Sequence, residues 1–220
     1  VTPVVARPAV SVIPLRDGPD GLEVFVQHRA TTMDFAAGVV VFPGGRCDPA
    51  DEARGADLAL SAATLAEHVR RWRQVPVDAP VHVDPSVSAR TLLATGLREL
   101  AEETGLLADP EALLPWDRWV TPEASPKRFD VAFFVLPVPG HAPDQPTHLT
   151  TEATHSVWEG VDALLTAATE QRLRLMTPTR VLLRELADLG DVASVLALRP
   201  VITGVRDDRP GSRPRATDPS

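Results

Sequence analysis

Residues 98 to 106 read RELAEETGL, and a helix would gather the three carboxylates of that stretch on one face. At about 100° per residue, with Glu99 at 0°, Glu102 falls at about −60°, Glu103 at about +40° and Arg98 at about −100°. Leu93, Leu97 and Leu100 lie between about 100° and 160°, nearly opposite. Like charges three and four residues apart repel, so the cluster weakens its helix unless something neutralises it. A hard divalent cation does so. Mg2+ takes oxygen ligands in an octahedron, keeps several waters and partners substrate phosphates. The competing reading is a solvated acidic helix face, the usual meaning of a charge run.

A second stretch, VFPGGRCDPADE at residues 41 to 52, offers a Gly44-Gly45 turn followed by an acid, Asp51. Together the two stretches resemble the box of the Nudix hydrolases, G-x5-E-x7-R-E-U-x-E-E-x-G-U with U a bulky aliphatic. Gly45 fits the opening glycine. Arg98, Glu99, Leu100, Glu102, Glu103, Gly105 and Leu106 match the second half. Asp51 stands where the first Glu belongs and is shorter by one methylene. Where the box has seven residues, positions 52 to 97 supply 46. An insert of roughly 40 residues therefore interrupts the box, which chain entropy penalises only modestly.

A box split this way resembles the coenzyme A diphosphatase type of Nudix protein known from peroxisomal enzymes. Arg29, Gly38, Phe42, Pro43, Gly44 and Gly45 fit the upstream coenzyme A signature, whereas Asp34 takes a position that often holds Arg. PWDRWVTPEASPKRFDVAFFV, after the box, agrees as well. The resemblance implies Mg2+ or Mn2+ held by Glu99, Glu102, Glu103 and the Gly45 carbonyl. Arg98 then orients a box carboxylate, Asp51 or Glu102. Glu152, shortly before Trp158, stands where related enzymes place a further ligand or general base; a strand-edge charge is the alternative. Arg29, Lys127 and Arg128 are candidates for substrate phosphates, since cationic side chains pair well with phosphate oxygens; surface ion pairs are the alternative. Cys47 reads as structural, and Phe129, Phe133 and Phe134 as strand core.

The implied reaction is metal-dependent hydrolysis of coenzyme A or acyl-coenzyme A to 3′,5′-ADP and (acyl-)4′-phosphopantetheine. ADP-ribose, dinucleotides and nucleotide sugars are alternative substrates. A non-catalytic module that senses a nucleotide is the reading from another class. The box carboxylates such modules often lose are all kept in the second half here.

Composition sets the frame. The chain has 220 residues, 44% apolar and 24% charged, with net charge −8. That suits one domain with an elaborated insert. No dense basic patch points to nucleic acid, and no apolar run approaches the ~20 residues of a membrane span. An acidic protein working on an anionic small molecule needs a cation between them. A single cysteine excludes an internal disulfide. This fits a reducing compartment, hence a cytoplasmic and, from the arginine-rich composition, bacterial protein.

The elements that must position these groups follow from pattern. AVSVIPL and LEVFVQHR read as strands joined by RDGPDG, GVVVFPGG as a short buried strand, and RFDVAFFVLPV as the strongest strand. Ser86 or Ser88 is expected to cap a helix running to Thr104 and stopped by Gly105. EATHSVWEGV reads as a strand turning into a helix near Asp162, and TPTRVLLRELADLG as a helix with Pro in its first turn. The resulting expectation is an α+β Nudix-type α/β/α sandwich with a mixed sheet, one domain over residues 1–205. Its insert, residues 53–90, is mostly helical. Leu58, Ala62, Leu65 and Val69 form a stripe that needs an apolar partner, on the body or on a second subunit of a homodimer. Both ends of the insert border the box, so it is expected to wall one side of the substrate cleft; a tolerated surface insertion is the alternative. Residues 206–220, polar and Pro-rich, read as a mobile tail.

Overall fold

The computed structural model describes residues 4–30, 38–73, 82–140, 145–202 and 204. Asp34, residues 74–81 of the insert and the tail from residue 206 lie outside them. A long apolar run makes β1 (Arg7–Gly18), and the turn at Pro19-Asp20 returns it as β2 (Gly21–Arg29). The two strands pair only near that turn, residues 15–18 with 21–24. Beyond it they part. β3 (Val40–Val41) joins β2 at Gln27 and His28, while β4 (Gly44–Arg46) joins β1 at Ala9, Val10 and Ser11. Phe42 and Pro43 bridge the gap, and the Pro43 carbonyl accepts from Val12 N at 2.9 Å. A Cβ on Gly44, at φ +156°, would stand 2.2 Å from the Val10 carbonyl oxygen. Only glycine fits there.

The helices of the insert are α1 (Ala50–Ala56) and α2 (Ala62–Arg73), and α3 (Pro85–Thr104) carries the glutamates. β5 (Leu114–Val120) pairs antiparallel with β6 (Phe129–Pro137), which runs parallel to β1. β7 (Ala153–Gly160) lies antiparallel on the other edge of β2 and leads into α4 (Val161–Thr169). α5 (Thr177–Leu189) and α6 (Val192–Ala197) follow. Among the described residues the mixed sheet has seven strands.

Side chains alternate across it, as a strand requires. Ile13, Leu15, Phe133 and Val135 pack with Leu164, Leu182, Leu183 and Leu186 of α4 and α5. Val10, Val12, Phe134 and Leu136 pack with Leu92, Leu93 and Leu100 of α3. Two cores on two faces give the expected α/β/α sandwich. Among the described residues no helix is long and apolar enough to cross a membrane.

Two local expectations need correction. Asp84 caps α3, its carboxylate accepting from Ser86 N at 2.7 Å with Pro85 in the first turn. Ser88 instead bonds His82 through both N–H and carbonyl. Asp84 holds the extended φ/ψ of a cap, whereas Ser88 is already helical. The insert helix that carries the stripe begins at Ala62, so Leu58 precedes it, and Ala62 is exposed. Its buried stripe is Leu65, His68, Val69 and Trp72, with Leu58 and Leu60 packing from the preceding loop. Trp72 meets Phe134 edge-on, ring centroids 5.3 Å apart. The insert therefore covers the α3 side of the sheet. Trp72→Ala should lower unfolding free energy by about 3 kcal/mol in urea denaturation; a loss below about 1 kcal/mol would mean that α2 does not pack there.

Candidate active site

The sheet split opens toward the C-terminal half of α3. Gly45 of β4 lies beneath Glu99, where an added Cβ would fall 2.2 Å from Glu99 Oε1. Glycine at this position lets the strand backbone approach the acidic face directly. Arg98 ties the cluster together. Its Nε and Nη2 donate to the two oxygens of Asp51, each at 2.9 Å. Nη2 also reaches the Arg46 carbonyl at 3.0 Å. Nη1 donates to Glu99 at 2.9 Å and to Glu102 at 3.0 Å. The guanidinium thus orients both box carboxylates named from the sequence, and Glu99 as well.

Asp51, fully buried, also accepts from Thr95 Oγ1, Arg54 Nη1 and the Asp48 amide. Burial pushes its pKa up, but the bonds from Arg98, Asp48, Thr95 and Arg54 together outweigh burial and hold it at about 2.

Glu103 points into the split. Its Oε2 accepts from Gly44 N at 2.9 Å and from Gln27 Nε2 at 3.1 Å. Burial, with the charges of Glu99 and Glu152, pushes this carboxyl up to about 7, against the pull of those two donors. Glu99 is raised too, by burial and by the charges of Glu102 and Asp51, against the opposing pull of Arg98. One guanidinium does not neutralise this face. The surplus of carboxylate oxygen beside a bare backbone is a donor set suited to a hard cation.

The end of α3 positions Glu152. Thr147 N and Leu149 N donate to the carbonyls of Thr104 and Glu103 at 2.8 and 3.1 Å, groups that a helix end leaves without an intrahelical donor. The same loop then brings Glu152 to Arg29, whose Nη2 donates to it at 2.9 Å. Arg29 Nε is buried without a partner. Gln27, two residues before Arg29 on β2, donates to Glu103, so this pair borders the cluster. Lys127 and Arg128 lie between β5 and β6, where the buried Arg128 donates to the carbonyls of Thr121 and Val4. Sequence reading missed Gln27 and Thr95. Gln27 was signalled by a lone amide in an apolar strand, and Thr95 by its place on the acidic side of the helix, about −40° on the same wheel.

A solved structure, a Nudix hydrolase from Alicyclobacillus acidocaldarius, matches with TM-score 0.68 and 25% identity over 91% of this chain and 99% of that one. The fold is that of the Nudix hydrolases. Looser likenesses include the C. elegans Ap4A hydrolase binary complex, with TM-score 0.47 and 14% identity over 83% of this chain and 96% of that one. The Nudix domain of Shewanella oneidensis NrtR, complexed with ADP ribose, gives 0.49 and 12% over 84% and 88%. No protein-family model matches the chain, and no curated protein matches it closely.

Within this Nudix fold, the described side chains whose ligand atoms already lie within 4.8 Å of one another are a different group, His28, His155 and Glu159. There the two imidazoles stack, centroids 4.0 Å apart and planes 18° from parallel, so their in-plane lone pairs do not converge on one ion. His28 instead bonds Glu159 at 2.6 Å.

Asp51 titrates lower in the folded chain than in the unfolded one. It therefore stabilises the fold at neutral pH, and that contribution, about 2 kcal/mol, is lost as pH falls from about 4 to about 2. Urea titrations across that range should show a steeper loss for the wild type than for Asp51→Asn. Equal slopes would contradict the buried ion pair.

Proposed function

We infer that the chain hydrolyses coenzyme A or an acyl-coenzyme A at its diphosphate, giving 3′,5′-ADP and (acyl-)4′-phosphopantetheine. In coarser terms it is a hydrolase of phosphoric anhydride bonds. The observation that supports this reading is that Gly45 lies against Glu99, Arg98 ties Glu99 to Glu102, and Glu103 accepts from the neighbouring Gly44 amide, all within a Nudix fold. Glu99, Glu102, Glu103 and the Gly45 carbonyl would hold Mg2+ or Mn2+, which neutralises phosphate charge and acidifies water when bound. Arg98 keeps Glu99 and Glu102 oriented while its own charge is balanced by Asp51. A water oxygen bonds to one phosphorus as the bridging P–O bond breaks. The departing phosphate takes the electron pair; in this reading Glu152, a further ligand or general base by resemblance, would take the water's proton. The coenzyme A assignment draws on the split box and on Arg29, Gly38 and Phe42 to Gly45.

A specific observation favours the alternative substrates, ADP-ribose, dinucleotides or nucleotide sugars. The guanidinium of Arg128 is engaged by the Thr121 and Val4 carbonyls, and Arg29 by Glu152. That weakens their candidacy as readers of a 3′-phosphate.

Incubation with a panel of diphosphates and Mg2+ or Mn2+, with products identified by mass, decides between them. Coenzyme A should be turned over faster than dephospho-coenzyme A or ADP-ribose; the reverse order transfers the assignment to the alternatives. Glu102→Gln, nearly isosteric and solvent-facing, should cut turnover about 10²-fold with the fold intact. Wild-type turnover in that variant would remove the metal-site reading.

A further inference from the structure

The first insert helix meets the catalytic helix at two points four residues apart. At Gly55 the backbones touch: a Cβ there would stand 2.8 Å from the carbonyl carbon and oxygen of Arg90. Arg90 turns onto the end of α1, where its Nη1 donates to the Gly55 carbonyl at 3.1 Å and the Leu58 carbonyl at 2.9 Å. One turn earlier on the same side of α1, Asp51 receives Thr95 Oγ1 and two nitrogens of Arg98. Arg90 and Thr91, then Thr95, then Arg98 lie along one side of α3, about a turn apart. Two small or short side chains, Gly55 and Asp51, let α1 sit this close. Neither point contributes a ligand to the glutamate cluster.

We propose that α1 is a clamp built by the insert onto the catalytic helix, with Gly55 and Arg90 as positioning residues that act through Asp51 and Arg98 on Glu99 and Glu102. The chain of contacts is continuous. Arg90 fixes the end of α1, α1 fixes Asp51, Asp51 holds the Nε–Nη2 edge of the guanidinium by two bonds, and Nη1 holds the two glutamates. A planar guanidinium locked along one edge by two bonds has little freedom left to turn its third nitrogen. The insert would thus set the geometry of the metal-holding face from outside it, which differs from walling the substrate cleft. The inference rests on the reading of Glu99 and Glu102 as metal-holding side chains.

The test is a double-mutant cycle on the full chain, read first by Mn2+ binding without substrate. Electron paramagnetic resonance of free Mn2+ gives the dissociation constant, and circular dichroism checks the fold. Arg90→Ala should raise that constant about tenfold, in the range found when groups supporting metal ligands are removed. It should also lower kcat on the best diphosphate while KM holds. Arg90→Lys keeps a donor for the two carbonyls and should recover most of both. On an Asp51→Ala background, which leaves no buried charge unpaired because Arg98 keeps Glu99 and Glu102, Arg90→Ala should change the Mn2+ constant no further. If Arg90→Ala does not fold, Thr95→Val, nearly isosteric, cuts α1 from α3 at the other point and carries the same cycle. An equal effect in both backgrounds, or none in the wild type, overturns the clamp. Coupled Mn2+ binding in a chain that hydrolyses no diphosphate would keep the clamp and overturn the proposed function instead.

Discussion

Arg98 is held on every side: by both oxygens of Asp51, by the Arg46 carbonyl, and by the carboxylates of Glu99 and Glu102. Its planar, permanently charged fork fixes directions as well as distances. Asp51 is fully buried, and a buried charge stripped of its partner is strongly destabilising. The pair must therefore form for α1, β4 and α3 to come together. Once it forms, those three elements have little freedom relative to one another. Glu99 and Glu102 inherit that rigidity, although Glu102 itself faces solvent.

The second constraint is the parting of β1 and β2. Had they paired along their whole length, no room would remain for Glu103. Instead β3 and β4 occupy the two free edges, and the Gly44 amide and the Gln27 amide group face the gap. These donors favour a charged Glu103, yet burial and neighbouring acids push the other way and win, leaving it near neutral pH. The same surplus of negative charge raises Glu99. A divalent cation would resolve this imbalance locally, and it would also let an acidic chain approach an anionic diphosphate.

What could be read in the sequence was local and periodic. The glutamate face, the glycine stop at Gly105 and the strands around AVSVIPL and DVAFFVLPV carried signals of short range. α1 did not, because it docks through Gly55 and an ion pair and has no apolar stripe to display. β5 was hidden by its own charges. Asp117 and Arg118 are buried in mid-strand, Arg118 on Asp130 at 2.6 and 2.8 Å and Asp117 on the Trp119 ring nitrogen at 2.7 Å. Such pairs satisfy buried polar groups, but only the folded partner strand reveals them. The insert stripe was misjudged because a histidine, His68, and a tryptophan do the packing. Burial pushes His68 down to about 4, against the opposing pull of the Leu113 backbone, so it packs as a neutral ring. Arg29 and Glu152 were both singled out in the sequence, yet their joining depends on β2 pairing with β7 and on a loop tied to the end of α3.

The proposed metal site joins the glutamate face of α3 to the Gly45 backbone. Anomalous scattering at the manganese edge, from crystals grown with Mn2+, tests it. A metal held there gives a peak bounded by carboxylates from the set Glu99, Glu102 and Glu103 and by the Gly45 carbonyl. A peak at His28, His155 and Glu159 with none at the glutamates would contradict it.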